Sequence, residues 1–249
     1  MGRALAVGLL RGRPELAERL VLADSAPRAL EAALADVGGR VGDSAEAAAC
    51  DLVCIAVKPV DADAALAAAR SALRPGAVLL SVMAGWTLDR LEAALPDVAL
   101  ARTMPNLAVR HGAGLVAIAT RGVAPERERD LLGALGSLGA VVPLPERLFH
   151  AATALAGSGP GLVALIAEAL EEGAVGAGLP RPQAREMVVA VLAGTAALLG
   201  DGGDPAILRQ RVSSPGGTTV AGIAVLERGA VRAHLADAVR AAAERSAEL

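Results

Sequence analysis

Aromatic side chains are scarce: the 249 residues include no tyrosine, one phenylalanine and one tryptophan. That removes the stacking platforms on which bases and sugars are usually held. Cysteine is scarce too. Cys50 and Cys54 are the two in the chain, and on one strand residues four apart point the same way but lie too far apart to bridge. With no disulfide framework, a cytoplasmic location is expected. The three histidines, His111, His150 and His234, are scattered, so no metal is expected. Net charge is −3 with no basic block, which argues against a nucleic-acid partner. The longest strongly apolar run, Met187 to Gly200, has 14 residues. A spanning helix needs roughly 20, so no membrane span is expected. Lysine is the rarest cation: Lys58 stands alone against 23 arginines. Either that is chance or one position requires an ammonium, because the two cations differ mainly at specific sites.

What is present is ample apolar material, 54% hydrophobic against 20% charged, enough for a real core. Residues 1–146 read as alternating strand and helix. Leu20 to Ala23 is a short apolar run ending at Asp24, and Pro27 to Val37 has helical spacing. Asp51 to Val57 is a continuous apolar run, as on a strand buried on both faces of a parallel sheet. Helix over 61–73, strand over 77–82, helix over 87–95 and strand over 98–102 follow. The alternation continues through 114–120, 125–138 and 140–144. This predicts an α/β, Rossmann-like doubly wound sheet. Residues 147–249 read as helix throughout, broken at Gly200-Asp201-Gly202-Gly203. Several of these helices are apolar on more than one face.

Four segments are placed to carry chemistry. Ala56-Val57-Lys58-Pro59 follows a buried strand, where open α/β sheets bind ligands. Pro59 drives Lys58 away from helical geometry, so the strand ends in a turn. Met104-Pro105-Asn106 follows another strand. The Asn106 amide suits a carboxamide such as that of nicotinamide, or it stabilises its own turn. Gly157-Ser158-Gly159-Pro160-Gly161 opens a long helix, as an ordinary start or as a close backbone approach to a ligand. Ser213-Ser214-Pro215-Gly216-Gly217-Thr218-Thr219 runs into a further helix. A plain cap needs one hydroxyl. This stretch has four hydroxyls and two glycines, which favours an anion site at the helix start. No nucleophile elbow or metalloprotease motif is present, leaving chemistry done by a cofactor.

In this order, over essentially the whole chain, these segments resemble the pyrroline-5-carboxylate reductase family. The strongest match is Val212-Ser213-Ser214-Pro215-Gly216-Gly217-Thr218-Thr219-Val220-Ala221-Gly222, followed by Val225-Leu226-Glu227. Gly178-Leu179-Pro180 and Ala243-Glu244-Arg245-Ser246 support it. The resemblance implies NAD(P)H-dependent reduction of 1-pyrroline-5-carboxylate to L-proline without a metal. It implies that Ala56, Val57, Lys58, Pro59 and Asn106 line the dinucleotide. Ser214 and the amides of Gly217 and Thr218 would hold the substrate carboxylate, with the Thr219 hydroxyl on the ring nitrogen. It further implies a homodimer through the helical domain, with a pocket shared between subunits and larger rings of dimers among relatives. NADPH and NADH both remain open: Asp24 suits a free ribose hydroxyl, whereas Ser25 and Arg28 suit a 2′-phosphate.

The chain departs from the family pattern in three places. Ala156, Gly161 and Leu162 flank the Gly-Ser-Gly-Pro turn, where the family has Ser before it and Ala-Tyr after. Leu107 and Ala108 follow Asn106 where the family has Thr-Pro. Met1-Gly2 aligns with the end of the family's Gly-x-Gly-Asn-Met-Gly turn, and Ala4 to Leu10 with the helix after it. The expectation is therefore a sheet without its first strand, a start codon upstream of Met1, and weak NADPH binding by the 249-residue form. Two alternatives stand beside the reductase reading. One is a truncated non-catalytic paralogue; the other is a different imine-reducing or β-hydroxyacid-dehydrogenase-like oxidoreductase.

Overall fold

The structure is a computed structural model that describes residues 1–248. It divides into two compact units. The first holds residues 1–157 together with the end of the chain from Ala242; the second is Ser158–Ala241. The sequence pattern changes at 146, but packing keeps the next turns with the first unit. The reason is Phe149, Ala154 and Ala156, which are fully buried, Phe149 and Ala156 in one core with Leu100, Met104 and Ala117. The chain end is held to the same unit by a hydrogen bond of 3.2 Å between His150 Nδ1 and Ser246 Oγ.

In chain order the first unit contains α1 (Gly2–Gly12), β1 (Val21–Leu22), α2 (Pro27–Val37), β2 (Arg40–Val41) and α3 (Ser44–Ala48). Next come β3 (Leu52–Ile55), α4 (Ala62–Arg70), β4 (Val78–Ser81), α5 (Leu88–Ala94) and β5 (Ala99–Pro105). It closes with β6 (Gly114–Arg121), α6 (Pro125–Leu135), β7 (Gly139–Pro143) and α7 (Phe149–Ala152). Strands β1 and β2 pair in parallel as one small sheet; β3 to β7 form a second sheet in sequence order. All pairs in the second sheet are parallel except β5 with β6.

Strand β4 is buried along its whole length, and its alternation feeds two cores. Leu79 joins Val53, Leu66, Leu91, Leu100 and Phe149 on one face. Val78 and Leu80 join Leu5, Val116, Ile118, Leu131 and Leu138 on the other. Period-two side chains therefore demand helices on both faces. Strand β3 does not meet the expectation of two-sided burial. Val53 and Ile55 are buried, but Leu52 and Cys54 are exposed, because β3 is an edge of its sheet. Strand β5 runs three residues past the predicted end at Arg102, because Thr103, Met104 and Pro105 find antiparallel partners in Ile118, Ala117 and Val116. Helix α1 seats closely: a Cβ added at Gly8 would lie 2.1 Å from the Val109 carbonyl oxygen.

One buried ionic contact fastens this unit. Arg102 is 4% exposed and its Nη1 donates to Glu146 Oε1 at 2.7 Å. The same oxygen accepts the Leu88 amide at the start of α5, also at 2.7 Å. The Arg102 guanidinium lies 4.7 Å from the Phe149 ring centre.

The second unit holds α8 (Gly159–Gly176), α9 (Arg181–Gly200), α10 (Pro205–Arg211), α11 (Thr218–Arg228) and most of α12 (Val231–Ala247). Among its described residues only Ala184 is buried. Leu165, Val189 and Val191 are each 60–64% exposed. By length and composition two helical stretches, residues 146–176 and Arg181–Gly200, are apolar enough to cross a membrane. The second differs from the sequence expectation because the helix begins at Arg181, ahead of its 14-residue apolar run.

Glu146→Ala is expected to lower the unfolding free energy by about 3 kcal/mol, since it strands a buried guanidinium and an amide at once. Denaturant unfolding followed by circular dichroism checks this, with Arg40→Ala, which removes an exposed ion pair to Glu46, as the control.

Candidate functional site

In the first unit the predicted residues gather at the carboxyl ends of parallel strands. Ile55 ends β3, and Ala56 to Pro59 follow as a turn. Lys58 has φ −68° and ψ 150°, the extended geometry a following proline imposes. Its carbonyl accepts the Asp61 amide at 2.9 Å, closing the turn into α4. Ala56 is half-buried; Val57, Lys58 and Pro59 are exposed. The start of α1 lies against this turn. A Cβ added at Gly2 would be 3.0 Å from the Ala56 methyl, so the helix backbone approaches the strand end closely. No side chain caps the first amides of α1. Free amides at a helix start beside a strand end fit the pyrophosphate of a dinucleotide.

Asn106 follows β5 at the same edge of the sheet. Its Oδ1 accepts the amides of Ala108 at 3.2 Å and Leu115 at 3.4 Å. The carbonyl end of this side chain therefore serves its own turn, the second of the two uses read from sequence, and the two Nδ2 hydrogens are left to donate. Asp24 follows β1, with Oδ1 accepting the Ala26 amide at 2.8 Å. Ser25 beside it is exposed.

The remaining predicted residues belong to the second unit, at the start of α11. Of helices α8 to α11, α10 alone has a side-chain cap: Asp204 Oδ1 accepts the amides of Ala206 at 2.7 Å and Ile207 at 3.2 Å. Helix α11 has no side-chain cap, although Ser214, Thr218 and Thr219 lie beside it. Its first amides, at Thr218, Thr219 and Val220, consequently have no acceptor among the described residues. The hydroxyls of Ser214, Thr218 and Thr219 also make no hydrogen bond among the described residues. By contrast, Ser213 Oγ donates to the Arg209 carbonyl at 2.7 Å.

Gly217 has a different part from the one its sequence position suggested. Its amide donates to the Ser214 carbonyl at 2.9 Å, closing a turn, so it does not add to the free amides. Its lack of a side chain matters instead, because a Cβ there would lie 2.3 Å from Ser214 Oγ. Gly216, at φ +68°, supplies the left-handed residue this turn needs. Farther along α11, the Arg232 guanidinium hydrogen-bonds Glu227 and holds its carboxyl below the usual range.

Residues 146–249 match the family profile described as pyrroline-5-carboxylate reductase dimerisation. Residues 1–85 match the one described as NADP oxidoreductase coenzyme F420-dependent. The chain is 43% identical over 211 residues to a pyrroline-5-carboxylate reductase of Synechocystis sp., covering 83% of this chain and 78% of that one. The chain belongs to the pyrroline-5-carboxylate reductase family. It is also similar to solved structures of two such reductases. One is from Coxiella burnetii, 28% identical with TM-score 0.90, covering 99% of this chain and 94% of that one. The other is from Plasmodium falciparum with NADP bound, 26% identical with TM-score 0.86, covering 99% and 93%.

Glu146, which fastens β5 ahead of Asn106, was not singled out from the sequence. Its partner Arg102 is 44 residues away, a separation that leaves no local pattern.

Two variants separate the two ends of Asn106. Asn106→Ala is expected to cost about 1 kcal/mol of stability by deleting the cap. Asn106→Asp keeps both accepted bonds and is expected to stay within about 0.5 kcal/mol of the parent. Chemical denaturation of both proteins is the check.

Proposed function

We propose that this protein reduces 1-pyrroline-5-carboxylate to L-proline, the last step of proline synthesis, using NADPH or NADH and no metal. The observation that carries the reading is the start of α11, three unpaired amides with three unpaired hydroxyls on a turn that matches the family motif. The amides of Thr218, Thr219 and Val220 take the substrate carboxylate, and the Ser214 hydroxyl donates to it. The Thr219 hydroxyl hydrogen-bonds the ring nitrogen. A bound reduced nicotinamide supplies the hydride for the C=N carbon. Ala56, Val57, Lys58 and Pro59 line the dinucleotide, the Asn106 Nδ2 donors face its carboxamide oxygen, and Asp24 and Ser25 meet the adenosine ribose. An imine needs only hydride delivery and a held proton at nitrogen, so orienting the two bound partners supplies much of the rate.

The functional form is a homodimer built through the helical unit. A unit with one buried residue and a row of exposed Leu and Val cannot be stabilised by its own core. A second copy covers those faces, which also accounts for helices apolar enough to suit a membrane. Cys50 and Cys54 are free thiols, in keeping with the cytoplasm.

The direct test is proline formation coupled to NAD(P)H oxidation by the purified protein; 1-pyrroline-5-carboxylate left unreduced by either cofactor overturns the reading. Thr219→Ala is expected to lower kcat about 10²–10³-fold with dinucleotide affinity nearly intact. Ser214→Ala is expected to raise the KM for the pyrroline carboxylate about tenfold, with the KM for cofactor unchanged. Steady-state kinetics in both substrates reads these out. Light scattering at micromolar concentration is expected to give twice the chain mass, and a monomer under these conditions contradicts the dimer.

A further inference from the structure

We propose that Glu227 is a positioning residue for the anion site: it clamps α11 to α10 through Arg209, so that the Ser214 hydroxyl and the first amides of α11 meet one carboxylate together. This rests on the reading of the start of α11 as the substrate site. The two sets of donors stand on different helices. The amides of Thr218, Thr219 and Val220 belong to α11. Ser214 follows the end of α10, where the Ser213 hydroxyl donates to the Arg209 carbonyl at 2.7 Å. The Gly217 amide closes the turn between them on the Ser214 carbonyl. No core sets the angle of the two helices, because neither α10 nor α11 has a buried residue among those described. The ion pair of Arg209 Nη1 with Glu227 Oε1, at 3.7 Å, is the one side-chain polar link between these helices among the described residues. Arg209 therefore holds the turn with its main chain and the far end of α11 with its side chain.

The corner after α11 shows that Glu227 does not serve its own helix. A carboxylate in the last turn opposes the helix dipole, and so does the Arg232 guanidinium in the first turn of α12. The two hydrogen-bond each other across the corner. Between them Ala230 has φ +54°, a left-handed conformation that is unfavourable for a residue with a side chain. Two charges set against their dipoles and a strained alanine mark a corner held in one geometry. With Arg232 on one side, the Glu227 carboxylate is presented to Arg209 on the other. The two guanidiniums, Arg232 foremost, keep that carboxyl below its usual range, so the clamp is charged at neutral pH. Without the clamp Ser214 shifts relative to the amides, and a carboxylate that needs both loses affinity.

The test is steady-state kinetics of the full chain and its variants with 1-pyrroline-5-carboxylate and NAD(P)H. Glu227→Ala and Arg209→Ala are each expected to raise the KM for the pyrroline carboxylate about fivefold, the upper reach of an exposed ion pair. In both, kcat and the KM for the dinucleotide are expected to stay within about twofold of the parent. Arg209→Ala leaves the corner between Glu227 and Arg232 intact, so it reads the clamp even where Glu227→Ala fails to fold. Arg240→Ala, which removes an ion pair to Asp237 within α12, is the control and is expected to leave the KM unchanged. Coupling separates positioning from general loosening. Added to Ser214→Ala, Arg209→Ala is expected to raise the KM by less than about twofold more, because no hydroxyl is left to place, whereas independent effects multiply to about fiftyfold. The inference is overturned if Arg209→Ala keeps the KM within about twofold of the parent, or if the double variant shows the full product. 1-Pyrroline-5-carboxylate left unreduced by the unaltered chain with either cofactor instead overturns the underlying reading of the site, and the inference with it.

Discussion

Burial of β4 on both faces is the constraint from which the first unit follows. Leu79 enters one core and Val78 and Leu80 the other, so neither face can be left to water. Helices α4 and α5 answer one face; α1 and α6 answer the other. Once both faces are covered, the edge at which the parallel strands end is the open place for a ligand. Ala56 to Pro59 and Asn106 stand at that edge because they follow β3 and β5. The Gly8 approach to Val109 seats α1, and the Gly2 approach to Ala56 brings its first amides to the same edge.

The starts of α10 and α11 in the second unit differ in how their amides are satisfied. Asp204 satisfies the first amides of α10 within the chain. The start of α11 has the residues for a cap and does not use them. Gly217 makes that possible: its amide closes the turn while its missing side chain leaves room for Ser214 Oγ. Donors left unpaired cost stability unless a ligand or water takes them. A carboxylate is the ligand whose charge and two oxygens best match several amides and a hydroxyl together.

Much of this was legible locally. The strand and helix alternation followed from hydrophobic period, the Lys58 turn from Pro59, and the helix starts from Pro and hydroxyl positions. Asn106 was readable only as two possibilities, because an isolated amide can serve its turn or a ligand; the fold showed that Oδ1 does the first. That the Gly217 amide closes a turn on the Ser214 carbonyl was not readable, because a glycine amide in a motif looks free until its acceptor is placed. The one-sided burial of β3 was hidden because an apolar run reads the same at an edge as at a sheet centre.

The sequence by itself determined the class of fold, the order of its elements and the set of residues at the strand ends and helix starts. These depend on short-range periodicity, proline and glycine geometry, and ordered motifs. Only the tertiary structure decided which donors are already used, where the compact units divide, and that Arg102 is held by Glu146. Each depends on groups far apart in sequence coming within bonding distance, and one-dimensional spacing holds no record of that.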